Sequence, residues 1–334
     1  MQKHVLSVIL IGLVISSIDA QQLASWSSFH ETGFVWNPAM TARYTQWEMS
    51  GTHRQEWLGF DDAPKVTTLS FQIPFYQRVN TSSAGLYLER DQVGPFENYS
   101  FGFSYAFKFR PKFQSRGIQD ELSIGFSLKG SRYQFDRNVL TFFDRNETLF
   151  ASSLDESYQS IVPNLALGVF YSSRNAFENY NKSFYFTGIS VNQLAPLKAV
   201  NIKLPGDRSD SWDIRLKPHI LANIGYRYYP FRSKGFVETN IMSLFSLSNS
   251  IHTMASCRYE WENAWWFSGG AVTNGEFFVQ TGVIFGPKSK LKKLVKDGVL
   301  RIGVKGDFHA GKLSLYNRTG YEVYMAYTFE VDKY

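Results

Sequence analysis

Residues 99–110 read YSFGFSYAFKFR, with an aromatic ring at every odd position from Tyr99 to Phe109 and Ser100, Gly102, Ser104, Ala106, Lys108 and Arg110 between them. Successive side chains of a β-strand point to opposite faces. As a strand, this stretch therefore sets an unbroken row of rings on one side and small, polar or basic groups on the other. A soluble sandwich hides its apolar face in a core and offers water a charged one. Here the second face is mostly Gly, Ser and Ala, and the aromatic face is continuous.

The alternation recurs along the chain. Leu122, Ile124, Phe126 and Leu128 alternate with Ser123, Gly125, Ser127 and Lys129. Leu165, Leu167, Val169 and Tyr171 alternate with Asn164, Ala166, Gly168 and Ser172, and Phe170 interrupts the polar side. Ile214, Leu216, Ile220, Ile224, Tyr226 and Tyr228 oppose Arg215, Lys217, His219, Asn223 and Arg227, as in one long strand. Phe277, Val279, Val283 and Phe285 oppose Glu276, Gln280 and Gly282, and Leu300, Ile302 and Val304 oppose Arg301, Gly303 and Lys305. The last such segment sets Tyr321, Val323, Met325, Tyr327 and Phe329 on one side. Weaker segments lie near residues 42–56, 66–75, 83–90, 183–192, 236–247, 251–260 and 264–272. Together they predict about fourteen strands, with twelve or sixteen as alternatives, many near the ~9–11 residues that a tilted strand needs to cross a bilayer. A sheet of that size with one strongly apolar face either splits into a sandwich with edges to protect or closes and faces lipid. Polar faces of Gly, Ser, Ala and Asn, punctuated by Lys and Arg, suit the interior of a closed barrel. The expected fold is all-β, a transmembrane antiparallel β-barrel with its aromatic faces toward lipid.

Composition agrees. Phe, Tyr and Trp make up 17% of the chain while the mean hydropathy is −0.24, which fits aromatic-girdled barrels and not a helical membrane protein. Lys3 and His4, the apolar run Val5 to Ile15 and the small-residue site Ile18-Asp19-Ala20 form a secretory signal. The expected organisation is a signal peptide over 1–20, an N-terminal periplasmic segment over 21–41 and an outer-membrane barrel over 42–334, with both termini periplasmic. That places the protein in the outer membrane of a Gram-negative bacterium, in contact with lipid. Cys257 is the single cysteine, so no intrachain disulfide can form. The net charge of +6 is too mild to argue for nucleic acid.

No catalytic chemistry emerges from the residue pattern. The histidines at 4, 30, 53, 219, 252 and 309 form no i,i+4 pair, and no nucleophile, phosphate-loop or zinc-protease motif is present. No catalytic, cofactor-binding or metal residue is assigned, and the expectation is a non-enzyme. Asp61-Asp62 reads as a turn before Pro64. On the faces assigned to the lumen, Lys108, Arg110, Lys129, Arg215, Lys217, Arg227, Arg301 and Lys305 outnumber Glu89, Glu276 and Asp307. That excess fits a lumen that attracts an anionic ligand or an acidic plug segment. Ordinary pairing of charges across neighbouring strands, with water, is the plainer reading of the same residues.

At 34-FVWNPAMTARYTQWEMSGTHRQEWLGFDDAPKVTTLSFQIP-74 the chain resembles the PorP/SprF family of outer-membrane proteins of the type IX secretion and gliding systems. The matching elements are Asn37-Pro38-Ala39, Arg54 to Trp57, Gly59, Ala63-Pro64 and the Thr-rich strand from Thr67. The hairpin from Gly85 to Phe109, and the stretches 124–136, 164–173 and 187–194, follow the same pattern in order. The chain departs from that pattern at Trp36 and in the segment before Asn37. The resemblance implies a role in secretion or surface attachment of exported proteins such as adhesins. It also implies work alongside type IX components that include an OmpA-like peptidoglycan-binding protein. It carries no catalytic residues. The motif residues read as structural: a turn at Asn37-Pro38-Ala39 that pins the N-terminal segment before the first strand, and a Trp at a strand end, where it suits the membrane interface. The alternative function is an outer-membrane transport channel for small hydrophobic or anionic ligands.

With periplasmic termini, connections after odd-numbered strands lie outside the cell. The longest, 134–162 and 193–213, both follow odd strands. The first carries Phe142, Phe143, Leu149, Phe150 and Ile161 among Asp144, Glu147, Asp155 and Glu156. Apolar anchors with a charged rim suit a protein interface, and the same residues fit a loop folded back into the barrel mouth. Lys288, Lys290, Lys292, Lys293 and Lys296, in the connection 287–298, fall on the periplasmic side and suit an acidic partner or a solvated turn.

Overall fold

The computed structural model describes residues 29–43, 46–60, 62–75, 82–109, 120–135, 161–173, 183–195, 197–203, 211–230, 234–246, 251–261, 263–287, 295, 297–310 and 319–329. A kinked helix α1 (Phe29–Trp36) and a 3-10 turn (Pro38–Met40) precede the first strand. The strands follow as β1 (Trp47–Gln55), β2 (Lys65–Pro74), β3 (Ser82–Val93), β4 (Phe96–Phe109), β5 (Glu121–Phe135), β6 (Val162–Ser172), β7 (Phe184–Asn192), β8 (Lys198–Lys203) and β9 (Ser211–Arg215). Then come β10 (His219–Tyr228), β11 (Gly235–Ser246), β12 (Ile251–Trp261), β13 (Trp265–Val272), β14 (Glu276–Phe285), β15 (Val299–His309) and β16 (Gly320–Phe329).

All but β8 and β9 close into one antiparallel barrel of fourteen strands, as the alternation predicts. Each strand pairs with its sequence neighbours, β7 pairs with β10, and β1 closes on β16 from Trp47↔Phe329 to Gln55↔Tyr321. Closure leaves no unpaired edge in the wall, which is what lets a sheet live in lipid. We call the rim at Trp47 and Phe329 the terminal end and the rim at Gln55 and Tyr321 the far end.

The stretch 99–110 behaves as its pattern dictates. Ser100, Gly102, Ser104, Ala106 and Lys108 are buried toward the lumen, while Tyr99, Phe101, Phe107 and Phe109 lie exposed on the outer wall. Leu88, Leu128, Ile224, Ile241, Val304 and Met325 join them outside. No helix among the described residues is long and apolar enough to cross a membrane; the strands do the crossing.

Two expectations are corrected. The alternation from Ile214 to Tyr228 is not one strand: β9 pairs with β8 in a two-stranded hairpin outside the barrel, and β10 starts only at His219. Pro218 stands between them; it lacks an N–H and restricts the residue before it, so the ladder breaks there. The second correction concerns the stretch 21–41, expected as an N-terminal periplasmic segment. Its described part, residues 29–41, lies within the barrel, packed against the lumenal faces of the strands.

Candidate functional site

Among the described residues, the lumen is crossed by the stretch 29–43. α1 ends at Asn37, whose N–H donates to the Gly33 carbonyl at 2.9 Å. Pro38 forces its predecessor out of helical geometry, and Asn37 accordingly sits at φ −128°, ψ 102° with its Oδ1 accepting from Ala39 N at 3.0 Å. Thr41 Oγ1 then donates to the Pro38 carbonyl at 2.7 Å. The Asn-Pro-Ala sequence is thus a self-capped corner.

That corner rests on glycines. A Cβ on Gly125 of β5 would fall 2.4 Å from the Pro38 carbonyl carbon. One on Gly168 of β6 would fall 2.1 Å from Asn37 Oδ1, and one on Gly188 of β7 would fall 2.8 Å from Asn37 Nδ2. Three adjacent strands present bare backbone where the segment turns. Polar side chains take up its main-chain groups, as buried backbone requires. Ser190 Oγ and Asn192 Nδ2 donate to the Trp36 carbonyl at 2.8 and 2.9 Å. Ser83 Oγ donates to the Thr41 carbonyl, Lys108 Nζ to the Ala42 carbonyl, and Ala42 N–H to Gln72 Oε1. Asn37 Nδ2 donates to the Val169 carbonyl of β6 at 3.2 Å.

The opposite wall holds the segment by charge. Arg258 of β12 donates to Glu31 Oε1 at 2.9 Å and to Glu260 Oε2 at 3.3 Å, and Arg301 of β15 reaches Glu260 at 3.2 Å. His30 Nδ1 lies 3.0 Å from Glu238 Oε1, which shares its carboxylate with Arg227. Gln280 Nε2 adds a donor to Glu31 at 3.3 Å. Between the two walls Phe29, Phe34 and Met40 pack on Tyr87, Phe170, Phe186, Leu221 and Met242, each such burial being worth roughly 1.5–3 kcal/mol.

A second ionic cluster lies beyond the segment, toward the far end. Arg54 of β1 is 4% exposed and lies within ion-pair distance of Glu56 (3.0 Å), Glu276 (3.1 Å), Asp307 (3.3 Å) and Glu322 (3.9 Å). Lys305 Nζ stands 3.6 Å from Glu276. These groups come from β1 and the residue after it, β14, β15 and β16, so the cluster spans the closing seam. Burial raises the Glu56 carboxyl above its usual range, and the Arg54 guanidinium pulls it part of the way back.

The residues expected from sequence separate accordingly. Asn37, Pro38 and Ala39 turn inside the lumen, not ahead of the barrel. Arg54 is buried in the lumen as the centre of the seam cluster. Trp57, Gly59, Ala63 and Pro64 form the β1–β2 connection, in which Trp57 and Gly59 take φ values of +49° and +93° and Glu56 N–H donates to the Pro64 carbonyl. Phe142, Phe143, Leu149 and Phe150, and Lys288, Lys290, Lys292 and Lys293, lie outside the described residues, as does Arg110. The expected basic excess in the lumen is overturned. Glu31, Glu48, Glu238, Glu260 and Glu322 also face inward and were missed, and Lys129, Arg227, Arg258 and Arg301 are paired to carboxylates. Arg227 pairs with Glu238 directly across the β10–β11 ladder and Arg258 with Glu260 along β12, so alternation on those strands would have placed both acids inward. Among the described residues no three His, Cys, Asp or Glu side chains are grouped to hold a metal ion.

The model of one family, type IX secretion system membrane protein PorP/SprF, matches residues 18–327. Among solved structures the chain is similar to the Pseudomonas putida toluene transporter TodX at 8% identity and TM-score 0.46, over 90% of this chain and 94% of that one. It is similar to KdgM porin at 11% identity and TM-score 0.36, over 85% and 99%. The translocator domain of the autotransporter NalP from Neisseria meningitidis aligns at 9% identity and TM-score 0.39, over 99% and 95%. No curated protein matches the chain.

Proposed function

The chain belongs to the PorP/SprF family of type IX secretion system membrane proteins, and on that premise we propose that it is a non-enzymatic part of the machinery that holds an exported surface protein at one mouth of the barrel. It is a component of the outer membrane, where closed barrels with apolar outer walls reside. Its work in this reading is secretion or retention of an exported adhesin-like protein, with an OmpA-like peptidoglycan-binding protein on the periplasmic side.

The observation that carries this reading is the lumenal segment. Residues 29–43 are fixed on both walls by hydrogen bonds, ion pairs and glycine seats. A protein that conducted small hydrophobic or anionic molecules would need that path clear. With the lumen occupied, binding falls to the mouths. Periplasmic termini would put the connection 136–161 at the outer mouth, with Phe142, Phe143, Leu149 and Phe150 as anchors, and 286–298 with Lys288, Lys290, Lys292 and Lys293 at the inner one.

Two measurements test this. The purified barrel in planar bilayers should show no steady conductance, and a stable open pore would favour the transport alternative. Deleting residues 140–156 should leave barrel assembly intact and abolish surface retention of the exported protein. Unchanged secretion and display after that deletion would overturn the outer-mouth assignment.

A further inference from the structure

The outer wall is apolar almost throughout, and its exceptions are grouped. Among the described strand residues that face outward, the Lys and Arg side chains are Lys65, Arg90 and Arg132, on β2, β3 and β5. All three stand at the far end. Register sets two of them in one cross-strand row with polar and aromatic neighbours: His53↔Thr67, Thr67↔Arg90, Arg90↔Tyr99 and Tyr99↔Arg132. The next row outward runs Gln55↔Lys65, Lys65↔Gln92, Gln92↔Glu97 and Glu97↔Gln134. The next row toward the membrane centre runs Gly51↔Leu69, Leu69↔Leu88, Leu88↔Phe101 and Phe101↔Gly130. Leu69, Leu88 and Phe101 are each more than half exposed. One row along the wall thus separates acyl-chain chemistry from a basic arc.

The terminal end differs. Its outward rim is aromatic: Trp47, Phe109, Tyr171, Tyr185, Tyr226, Tyr228, with no Lys or Arg among its described outward strand residues. Aromatic rings suit any interface, whereas Arg and Lys placed at headgroup depth recognise phosphate. Glu97 is the sole outward carboxylate among the described strand residues, and it bonds Arg90 at 2.6 Å, so the described strand residues of the arc carry a net positive charge. Lys65 and Arg132 are three strand spacings apart, about 14 Å, room for more than one phosphate.

We propose that the far-end arc formed by Lys65, Arg90, Arg132 and Tyr99, above exposed Leu69, Leu88 and Phe101, binds the phosphate-bearing headgroup of an anionic membrane lipid. The acyl chains lie along the apolar row while Arg90 and Arg132 donate to phosphate oxygens, and Arg90 exchanges its Glu97 partner for the lipid.

The whole chain, purified in detergent and incubated with diphosphoryl lipid A, tests this by native mass spectrometry. The wild type should retain lipid A and release the same lipid stripped of both phosphates. The triple variant K65Q/R90Q/R132Q should retain lipid A at least tenfold less well, and E97Q should retain it more tightly. Inorganic phosphate at the same concentration should not compete, which separates a lipid site from a free-anion site. Equal retention of the phosphorylated and stripped lipids, equal retention by the triple variant, or displacement by inorganic phosphate would each overturn the proposal. If the triple variant fails to assemble, the comparison of the two lipids on the wild type decides alone.

Discussion

The two sides of the lumen hold the same piece of chain by opposite means. From β3 to β7 the wall offers small groups: Ser83, Gly85, Ser104, Gly125, Ala166, Gly168, Gly188 and Ser190. At Gly125, Gly168 and Gly188 the segment comes within backbone contact because no side chain projects from those three positions. From β11 round to β1 the wall carries Glu238, Arg258, Glu260, Arg301, Lys305, Asp307, Glu322 and Arg54, with Trp266 wedged over Gly282 and Gly303. There Arg258 and Glu238 reach the segment at Glu31 and His30, while the Arg54 cluster lies beyond it. One wall specifies shape and the other specifies charge, so the two should fail under different insults.

The seam cluster gives the largest expected effect. Arg54→Leu leaves Glu276, Asp307, Glu322 and Glu56 facing each other without their shared cation. Removing one partner of a buried ion pair costs about 3–5 kcal/mol. Barrel unfolding, followed by heat-modifiable migration, should shift to markedly lower temperature, and the β1–β16 ladder should be the first to open. A variant that unfolds like the wild type would mean that the cluster is hydrated and its charges already screened.

The small-residue wall should respond to volume and ignore charge. Gly125→Ala brings a methyl group against the Pro38–Ala39 backbone, and backbone cannot rotate aside. Overpacking of this kind costs about 1–3 kcal/mol. Because the strain falls on the segment and not on the strand ladder, the barrel should persist while residues 29–43 become open to protease. Gly282→Ala on the other wall makes a useful contrast, since its nearest clash is with the Trp266 ring and should leave the segment protected. If both variants expose the segment equally, the division of labour between the walls is wrong.

What was legible beforehand follows from range of interaction. Alternation is a local signal, so strand faces, the strand count and the outward aromatics could be taken from neighbours two residues apart. The glycines at 125, 168 and 188 were visible as a small polar face, yet nothing local said that another part of the chain would lie on them. The segment 29–43 has no period-2 pattern, and Asn37-Pro38-Ala39 looks the same whether the turn lies outside a barrel or inside it. The ion pairs tell the same story. Glu31 and Arg258 are 227 positions apart, and Arg54 and Asp307 are 253 apart, whereas the inward faces of Glu238, Glu260 and Glu322 follow from alternation on their own strands. Ile214 continues an alternation that reads as wall, and Pro218 ends it.

A smaller effect separates the corner from its seat. Asn37→Ala removes the cap on Ala39 N–H and the bond to the Val169 carbonyl, while Pro38 and the glycines remain. Loss of such a cap typically costs about 1 kcal/mol. The expected result is a modest drop in unfolding temperature with protease resistance of the segment largely kept. Full exposure of the segment would make Asn37, and not the glycine seat, the principal holdfast.

The smallest effect is one of pH, and it belongs to the charged wall alone. Burial raises the Glu56 carboxyl above its usual range, only partly offset by Arg54. The folded barrel therefore holds that proton more tightly than the unfolded chain does. The sign follows from linkage: this group favours the folded state most below the ordinary glutamate value of about 4.3, and that contribution is lost as pH rises from there through the raised folded value. Glu56→Gln keeps the shape and stays neutral at every pH, so it resembles the protonated wild type. It also takes one carboxylate from Arg54, which has three others. Unfolding temperatures of the two proteins should therefore lie closest together near pH 4. They should separate as pH rises toward neutrality, with the variant gaining on the wild type once Glu56 carries its buried charge. A difference that stays constant across that range would show that Glu56 is solvated at the far mouth and that the cluster's desolvated part begins deeper, at Arg54 itself.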